Sequence, residues 1–222
     1  MNFEFFVKSA FSRLGLQIQR TPRRLWENDA FFVELMKEAR ERSLLDPVRL
    51  FLLYQFALQA ADRPGEAAEV GVYRGGTARI LARTLNKKTV HLFDTFSGMP
   101  AVDAERDTHR PGDFADTSEE SVRAYLASAG NAVLHPGFFP QTAAPLEKAS
   151  FCFVHIDVDI YQSVGDCCRF FYPRLSPGGV LLFDDYGTPT CPGAQQAVDE
   201  FFAGKAERPL YLPTGQCAVI KK

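Results

Sequence analysis

Acidic side chains directly follow two apolar segments of the chain. Asp157 and Asp159 come after the apolar run 151–156, and the pair Asp184-Asp185 comes after the run 180–183. Segments that are apolar on both faces are typical of central parallel strands, and neighbouring strands lie ~4.8 Å apart. Asp157 and the Asp184-Asp185 pair are therefore expected to converge on one small volume. Carboxylates so close repel one another, and a hard divalent cation, most commonly Mg²⁺, relieves that repulsion.

A glycine-rich turn follows the first predicted strand. The segment reads Glu69-Val70-Gly71-Val72-Tyr73-Arg74-Gly75-Gly76-Thr77. Glycines here let the backbone approach a ligand closely, and the next helix presents free N–H groups to it. The spacing differs from the Gly-x-Gly-x-x-Gly of dinucleotide enzymes. Because Glu69 would repel a pyrophosphate and suits an ammonium or sulfonium group, we expect an amino-acid-bearing cofactor.

A second acidic residue marks the end of the next predicted strand. Asp94 follows the run 89–93 and lies 18 residues after Gly76. A carboxylate at this position can accept hydrogen bonds from ribose hydroxyls, as in nucleoside-binding sheets generally. The expected ligand therefore carries a ribose and a positive centre.

Strand and helix patterns alternate from residue 63 onward. The sequence predicts strands over 67–70, 89–93, 132–134, 151–156, 180–183, 210–212 and 217–220. It predicts helices over 77–85, 118–129, 163–174 and 194–202. This order predicts an α/β fold with a doubly wound, mostly parallel sheet and a C-terminal antiparallel hairpin. A long polar loop over 99–118 is expected to be a functional flap. His155, inside a strand, is interpreted as a core histidine.

The N-terminal part is predicted to be helical and to form its own segment, residues 1–62, ahead of a cofactor-binding domain, residues 63–222. One helix is expected over Phe5–Leu14 and another around Trp26–Met36, while Asp46 and Pro47 begin a third. The phenylalanine-rich helices are interpreted as core or as a subunit interface.

Composition narrows the class of protein. In 222 residues, 25 Lys and Arg are balanced by 27 Asp and Glu, so the chain lacks the basic excess typical of a nucleic-acid binder. No apolar stretch approaches the ~20 residues of a membrane span, and the N-terminus does not read as a signal peptide. Five cysteines without a Cys-x-x-Cys pair indicate reduced thiols. We therefore expect a cytoplasmic protein.

These motifs, in this order, resemble those of the macrocin O-methyltransferase family, which methylates sugar hydroxyls in antibiotic biosynthesis. The resemblance covers about residues 45–222 and rests on the segments 69–77, 93–100, 137–142, 155–163, 183–187 and 192–202. It implies the seven-stranded methyltransferase sheet of class I, dependence on S-adenosylmethionine and Mg²⁺, and a homodimer or homotetramer.

The resemblance also assigns roles to individual residues. The expected metal ligands are Asp157, Asp184 and Asp185, and the expected general base is Asp159. The expected cofactor-binding residues are Glu69, Gly71, Tyr73, Gly75, Gly76, Thr77, Asp94 and Ser118.

The expected reaction is methyl transfer to a hydroxyl, most simply one of a vicinal diol on a sugar, because two adjacent oxygens can chelate a metal ion. A catechol-like phenol offers the same pair of oxygens and stays an alternative acceptor. Two other classes remain open at this stage. One is a nicotinamide-dependent oxidoreductase, which would not need massed carboxylates; the other is a non-catalytic partner subunit that keeps cofactor binding.

Overall fold

A computed structural model describes Val7, Phe11 and residues 23–222. The chain divides into two compact units, residues 1–30 and residues 31–222. Most of the predicted first helix, Phe5–Leu14, lies outside the described residues. In the first unit, a short 3-10 helix spans Leu25–Asn28. Trp26 therefore does not belong to the second predicted helix, because the extended backbone of Asp29 separates the two elements.

The second unit contains the sheet and its flanking helices. The helices are α1 (Ala30–Ala39, whose first residue belongs to the first unit), α2 (Pro47–Ala60), α3 (Gly76–Thr84), α4 (Glu119–Leu126), α5 (Tyr161–Phe171) and α6 (Pro192–Phe202). The strands are β1 (Glu66–Val70), β2 (Val90–Asp94), β3 (Ala132–Pro136), β4 (Phe151–Ile156), β5 (Leu175–Phe183), β6 (Leu210–Tyr211) and β7 (Cys217–Ile220). Residues 31–62 thus belong to the same compact unit as the sheet, and an interface role for residues 1–62 stays a prediction.

The seven strands form one sheet in the order β3-β2-β1-β4-β5-β7-β6. Strands β1 to β5 pair in parallel, whereas β7 pairs antiparallel with both β5 and β6. The predicted doubly wound, mostly parallel sheet with a C-terminal hairpin is confirmed. The strand order reverses between β1 and β4, which is where ligands bind in sheets of this kind.

Strand β5 begins earlier than the sequence predicts. Phe151 of β4 pairs with Leu175, but Phe153 pairs with Val180, so extra residues bulge out of β5. Pro177, Gly178 and Gly179 lie in this bulge. Gly178 supplies the positive φ of 77°, and its N–H donates to the Lys221 carbonyl oxygen at 2.8 Å. The end of the chain therefore holds the bulge in the sheet.

Apolar side chains cover both faces of the sheet. Helices α5 and α6 pack on one face, where Phe93, Phe139 and Phe171 form an aromatic cluster. Helices α2, α3 and α4 pack on the other face. Helices therefore cover β1, β4 and β5 on both sides, which explains why these strands are apolar on both faces.

Within the described part of the chain, no helix is both long and apolar enough to cross a membrane. All five cysteines are free and buried, as the odd count and the spacing predict.

Candidate active site

Four neighbouring strands end at the same level of the sheet. In the pairings β2–β1, β1–β4 and β4–β5, the last paired residues are in register: Phe93, Val70, Ile156 and Phe183. The residues that follow them are Asp94, Gly71, Asp157 and Asp184. The carboxyl ends of these strands therefore place the predicted functional residues in one row, at the point where strand order reverses.

A cavity of about 290 Å³ opens above this row. Eight of the predicted site residues line it: Gly71, Tyr73, Thr77, Asp94, Asp157, Asp159, Asp184 and Asp185. Four predicted cofactor residues are not among its lining residues: Glu69, Gly75, Gly76 and Ser118. The structure thus brings together part of the glycine turn and all of the strand-end aspartates.

Three carboxylates converge as the sequence predicts. Asp157, Asp184 and Asp185 each offer an oxygen, and these oxygens lie within 4.8 Å of one another. Burial raises the pKa of Asp157 well above its ordinary value, and the neighbouring Asp185 raises it further. A set of oxygen ligands whose negative charges disfavour one another fits a hard divalent cation such as Mg²⁺. The donor set therefore suits the predicted metal.

Arg49 reaches this acidic group from α2 and belongs to none of the sequence motifs. Asp46 caps α2 by accepting from the amide of Val48 at 2.7 Å, which places Arg49 in the first turn. Arg49 forms an ion pair with Asp184, and its Nη2 lies 3.7 Å from Asp185 Oδ1. It supplies one positive charge to the acidic group. Arg49 precedes Asp184 by 135 residues, so no local spacing signals the contact.

Asp184 is fixed from a second side. Gln216, at the start of the β7 region, donates through Nε2 to Asp184 Oδ1 at 2.8 Å. Both side chains are fully buried, so this hydrogen bond is shielded from competing water. The orientation of the Asp184 carboxylate is therefore set by the fold.

Asp159 lies in the turn after β4 with an unusual backbone. Its φ is 59°, a left-handed conformation for a non-glycine residue. Its N–H donates to Asp185 Oδ2 at 3.2 Å, which holds the turn beside the acidic group. Burial, together with the charge of Asp185, raises the pKa of Asp159 to about 7. The role of general base stays a prediction at this point.

Glu69 and His155 form a pair inside the sheet. His155 Nδ1 lies 2.8 Å from Glu69 Oε1, and both side chains are fully buried. Burial lowers the pKa of His155, but the hydrogen bond and the charge of Glu69 leave it raised overall. His155 is thus a core histidine, as predicted. One oxygen of Glu69 is thus already hydrogen-bonded to His155. The contact of Glu69 with a cofactor stays a prediction.

The Asp94 carboxylate organises the glycine turn. Its Oδ2 accepts from the amides of Val72 and Tyr73, both at 2.8 Å. Its Oδ1 accepts from the amide of Phe96 at 2.8 Å. These three hydrogen bonds hold the turn against the end of β2, a role that the motif alone does not predict. The contact with a ribose remains a prediction.

The other predicted cofactor residues shape the neighbouring helices. Gly75 is the N-cap residue of α3 and has φ 87°, and a side chain on Gly76 would meet the Arg42 backbone at 2.8 Å. Ser118 caps α4, because its hydroxyl accepts from the Ser121 amide at 3.2 Å. Cofactor contacts of these residues remain predictions.

The backbone that follows β4 leaves no room for a side chain at Gly71. Its φ is +90°, and a Cβ there would lie 1.7 Å from the Asp157 carbonyl oxygen. We predict that Gly71→Ala destabilises the protein by about 3 kcal/mol or more, because strain and overlap add. Gly130 has φ +74° with open space around it, so Gly130→Ala is the matched control and should cost about 1–2 kcal/mol. Urea unfolding measures both, and equal losses would show that the overlap relaxes freely.

The segment 99–118 is a long irregular connection, as predicted. Asp107 Oδ1 accepts from the Tyr161 amide at 2.8 Å, at the start of α5. The Thr108 hydroxyl donates to the Thr190 carbonyl oxygen. These bonds fasten the connection beside the cavity, and His109, Asp113 and Phe114 line it.

The sheet order and a cavity at the carboxyl ends of β1, β2, β4 and β5 define the class I methyltransferase fold. The solved structure of the O-methyltransferase NovP has this fold, with a TM-score of 0.70, 26% sequence identity and 82% of each chain covered. A family model described as macrocin-O-methyltransferase (TylF) matches residues 54–213. The chain therefore belongs to the macrocin O-methyltransferase family, a family of methyltransferase enzymes.

Two relatives whose names state an O-methylation reaction are also similar to this chain in sequence. The chain is 33% identical over 203 residues to mycinamicin III 3''-O-methyltransferase of Micromonospora griseorubida, covering 78% of this chain and 77% of the relative. It is 31% identical over 156 residues to demethyldecarbamoylnovobiocin O-methyltransferase of Streptomyces niveus. That match covers 63% of this chain and 59% of the relative's length. The family assignment leaves the oxidoreductase alternative without support.

Proposed function

We propose that this protein is an S-adenosylmethionine- and Mg²⁺-dependent O-methyltransferase that acts on a sugar hydroxyl of a glycoside or natural product. One observation carries the proposal: three carboxylate oxygens lie within 4.8 Å of one another in the cavity that the glycine turn also lines. The two relatives support the acceptor class, because they are named for O-methylation of mycinamicin III and of demethyldecarbamoylnovobiocin.

Asp157, Asp184 and Asp185 would hold the metal ion. When bound, Mg²⁺ supplies Lewis-acid polarisation of an acceptor hydroxyl. A vicinal diol is the acceptor that best suits such a site, since its two oxygens can bind together. Arg49 and Gln216 keep the Asp184 carboxylate in place, so the ligand set is organised before an acceptor arrives.

Asp159 would accept the proton that the acceptor hydroxyl loses. It lines the same cavity as the metal ligands, and the hydrogen bond from its backbone amide to Asp185 holds its turn beside them. A carboxylate is normally a weak base for an alcohol. Because its pKa is raised to about 7, Asp159 lies closer to the optimum for proton transfer at neutral pH.

The glycine turn and its neighbours would hold the methyl donor, which supplies the methyl group from its sulfonium. Gly71, Tyr73, Thr77 and Asp94 line the cavity beside the aspartates. Glu69, Gly75, Gly76 and Ser118 complete the proposed cofactor set. Close binding of donor and acceptor in one cavity supplies part of the rate acceleration through positioning.

The proposal also covers the partners, the location and the oligomeric state of the protein. The acceptor is a small molecule, and neither nucleic acid nor a membrane span is involved. We propose a cytoplasmic homodimer or homotetramer in which residues 1–62 contribute to the interface.

A methyl-transfer screen with labelled S-adenosylmethionine and Mg²⁺ tests the function. The acceptors are glycosides with a vicinal diol, matched glycosides with an isolated hydroxyl, and catechols. We expect label in the vicinal-diol glycosides and little in the matched set. Label confined to catechols would move the protein to the phenolic class. Donor binding without any methyl transfer would support the non-catalytic alternative.

A further inference from the structure

A second group of potential metal ligands lies beside the carboxylates. His109 comes from the connection between β2 and α4, Asp159 follows β4, and Cys191 directly precedes α6. His109 Nε2 and Cys191 Sγ are 3.5 Å apart, and Cys191 Sγ and Asp159 Oδ1 are also 3.5 Å apart. His109 Nε2 and Asp159 Oδ1 are separated by 3.7 Å. The three atoms therefore form a nearly equilateral triangle.

The size of this triangle fits a tetrahedral ion. Zinc binds sulfur at about 2.3 Å and nitrogen or oxygen at about 2.0–2.1 Å, so two tetrahedral ligands lie about 3.3–3.6 Å apart. The observed separations of 3.5, 3.5 and 3.7 Å need only a small adjustment. Cys191 is 2% exposed, while the side chains of His109 and Asp159 are 17% and 18% exposed. All three residues line the cavity, from which a fourth ligand can come.

The surroundings orient the ligands. His109 Nδ1 lies 3.3 Å from Asp113 Oδ2, so the opposite nitrogen faces Cys191 and Asp159. A carboxylate on the far nitrogen is the usual support of a metal-binding histidine. Asp113 is itself held by the Arg110 amide at 2.9 Å. The Cys191 amide donates to the Thr188 carbonyl oxygen at 2.9 Å, which fixes the start of α6.

The donor set differs in kind from the neighbouring carboxylates. Asp157, Asp184 and Asp185 offer oxygen alone, which suits Mg²⁺. His109, Asp159 and Cys191 offer nitrogen, oxygen and sulfur, a combination that favours zinc over magnesium. We propose that His109, Asp159 and Cys191 form a second metal site that takes a thiophilic divalent cation, Zn²⁺, with its fourth position open.

Binding at this site requires the thiolate form of Cys191. The Sγ–H bond breaks as the Sγ–metal bond forms, and the proton leaves to water. No oxidant or reductant is involved. His109 binds as neutral imidazole through Nε2 and keeps its Nδ1 hydrogen for Asp113.

Occupation of this site has a consequence for the reaction. Asp159 cannot bind Zn²⁺ and accept a proton from the acceptor at the same time, so Zn²⁺ inhibits methyl transfer. This consequence rests on the proposed function, whereas the binding itself does not.

Cobalt titration of the 222-residue chain tests the binding. Saturating Mg²⁺ first fills the carboxylate site, and Co²⁺ is then added as the spectroscopic probe of a zinc site. We expect a near-ultraviolet thiolate-to-cobalt band, which Zn²⁺ removes by displacement. Cys191→Ser should abolish the band and weaken Zn²⁺ binding by about 100-fold, and Asp113→Asn should weaken it by about tenfold.

Three controls make the result decisive. Cys168→Ala removes a buried thiol outside the cluster and should keep the band, and Asp157→Asn should keep it while losing Mg²⁺ binding. His109→Gln should weaken Zn²⁺ binding at least about tenfold and serves if Cys191→Ser does not fold. A folded wild type without the band, or a band that survives Cys191→Ser, overturns the site. Loss of the band in folded Asp157→Asn also overturns it, because the thiolate-bound ion would then depend on the carboxylate site.

Inhibition is measured separately. We expect Zn²⁺ to slow wild-type methyl transfer at the concentrations that displace Co²⁺, and His109→Gln to need at least about tenfold more. If no methyl transfer is found at all, the proposed function fails while the cobalt result still stands. Binding without inhibition overturns the predicted consequence at Asp159.

Discussion

Asp159→Asn is expected to reduce methyl transfer by about 10²–10⁴-fold, the range that general-base catalysis contributes. The amide keeps the size of the side chain and the backbone N–H bond to Asp185, but it cannot take up the proton of the acceptor hydroxyl. Labelled methyl transfer measures turnover, and isothermal titration measures donor binding, which should change little. The control is Asp62→Asn, because Asp62 is exposed on the surface.

Although Asp159→Asn is expected to lower turnover, it is expected to raise the stability of the metal-free protein at alkaline pH. The pKa of Asp159 is raised to about 7 in the folded protein, so the folded state favours the protonated form more than the unfolded chain does. Stability from this group is full below about pH 4 and is lost as the pH rises toward 7. Metal-free Asp159→Asn should therefore be more stable than the wild type at pH 8, by about 1–3 kcal/mol. Urea unfolding of both proteins at pH 5 and pH 8 checks this difference in stability. For catalysis, a wild-type rate of turnover in Asp159→Asn would show that Asp159 has no part in the mechanism.

Removal of the divalent cation is expected to bring turnover to background, with recovery on adding Mg²⁺. Asp157→Asn should weaken Mg²⁺ binding by about 100-fold or more, since even outer-shell partners typically contribute 10–100-fold. The structural reason is that Asp157 is one of three carboxylates within 4.8 Å of each other.

Two readouts separate metal binding from activity. Titration with Mn²⁺ followed by electron paramagnetic resonance gives the affinity directly. Mg²⁺ should also raise the melting temperature of the wild type by mass action and have little effect on Asp157→Asn, with Asp62→Asn again as the matched control. Full activity of chelator-treated protein with its acceptor would contradict the metal role.

The positions of the strands, and of the residues that end them, could be read from the sequence. Runs that are apolar on both faces identify β4 and β5, and the glycine turn identifies the end of β1. Because parallel strands of one sheet end at one edge, the pattern also predicts that Asp94, Asp157 and the Asp184-Asp185 pair meet there. The register of the sheet confirms this arrangement. Roles that depend on a bound molecule stay predictions.

The partners of those residues were decided only by the tertiary structure. Arg49 reaches Asp184 from 135 residues away, and His109 and Cys191 meet Asp159 through two connections whose paths have no periodic pattern. A side chain at Gly71 would overlap the Asp157 carbonyl oxygen, a contact that the glycine turn itself does not predict. Local periodicity specifies which face a residue takes within its own element, whereas contacts between distant side chains depend on how loops and helices pack around the sheet. The sequence therefore located the row of aspartates, whereas packing placed Arg49 beside Asp184 and placed His109 and Cys191 beside Asp159.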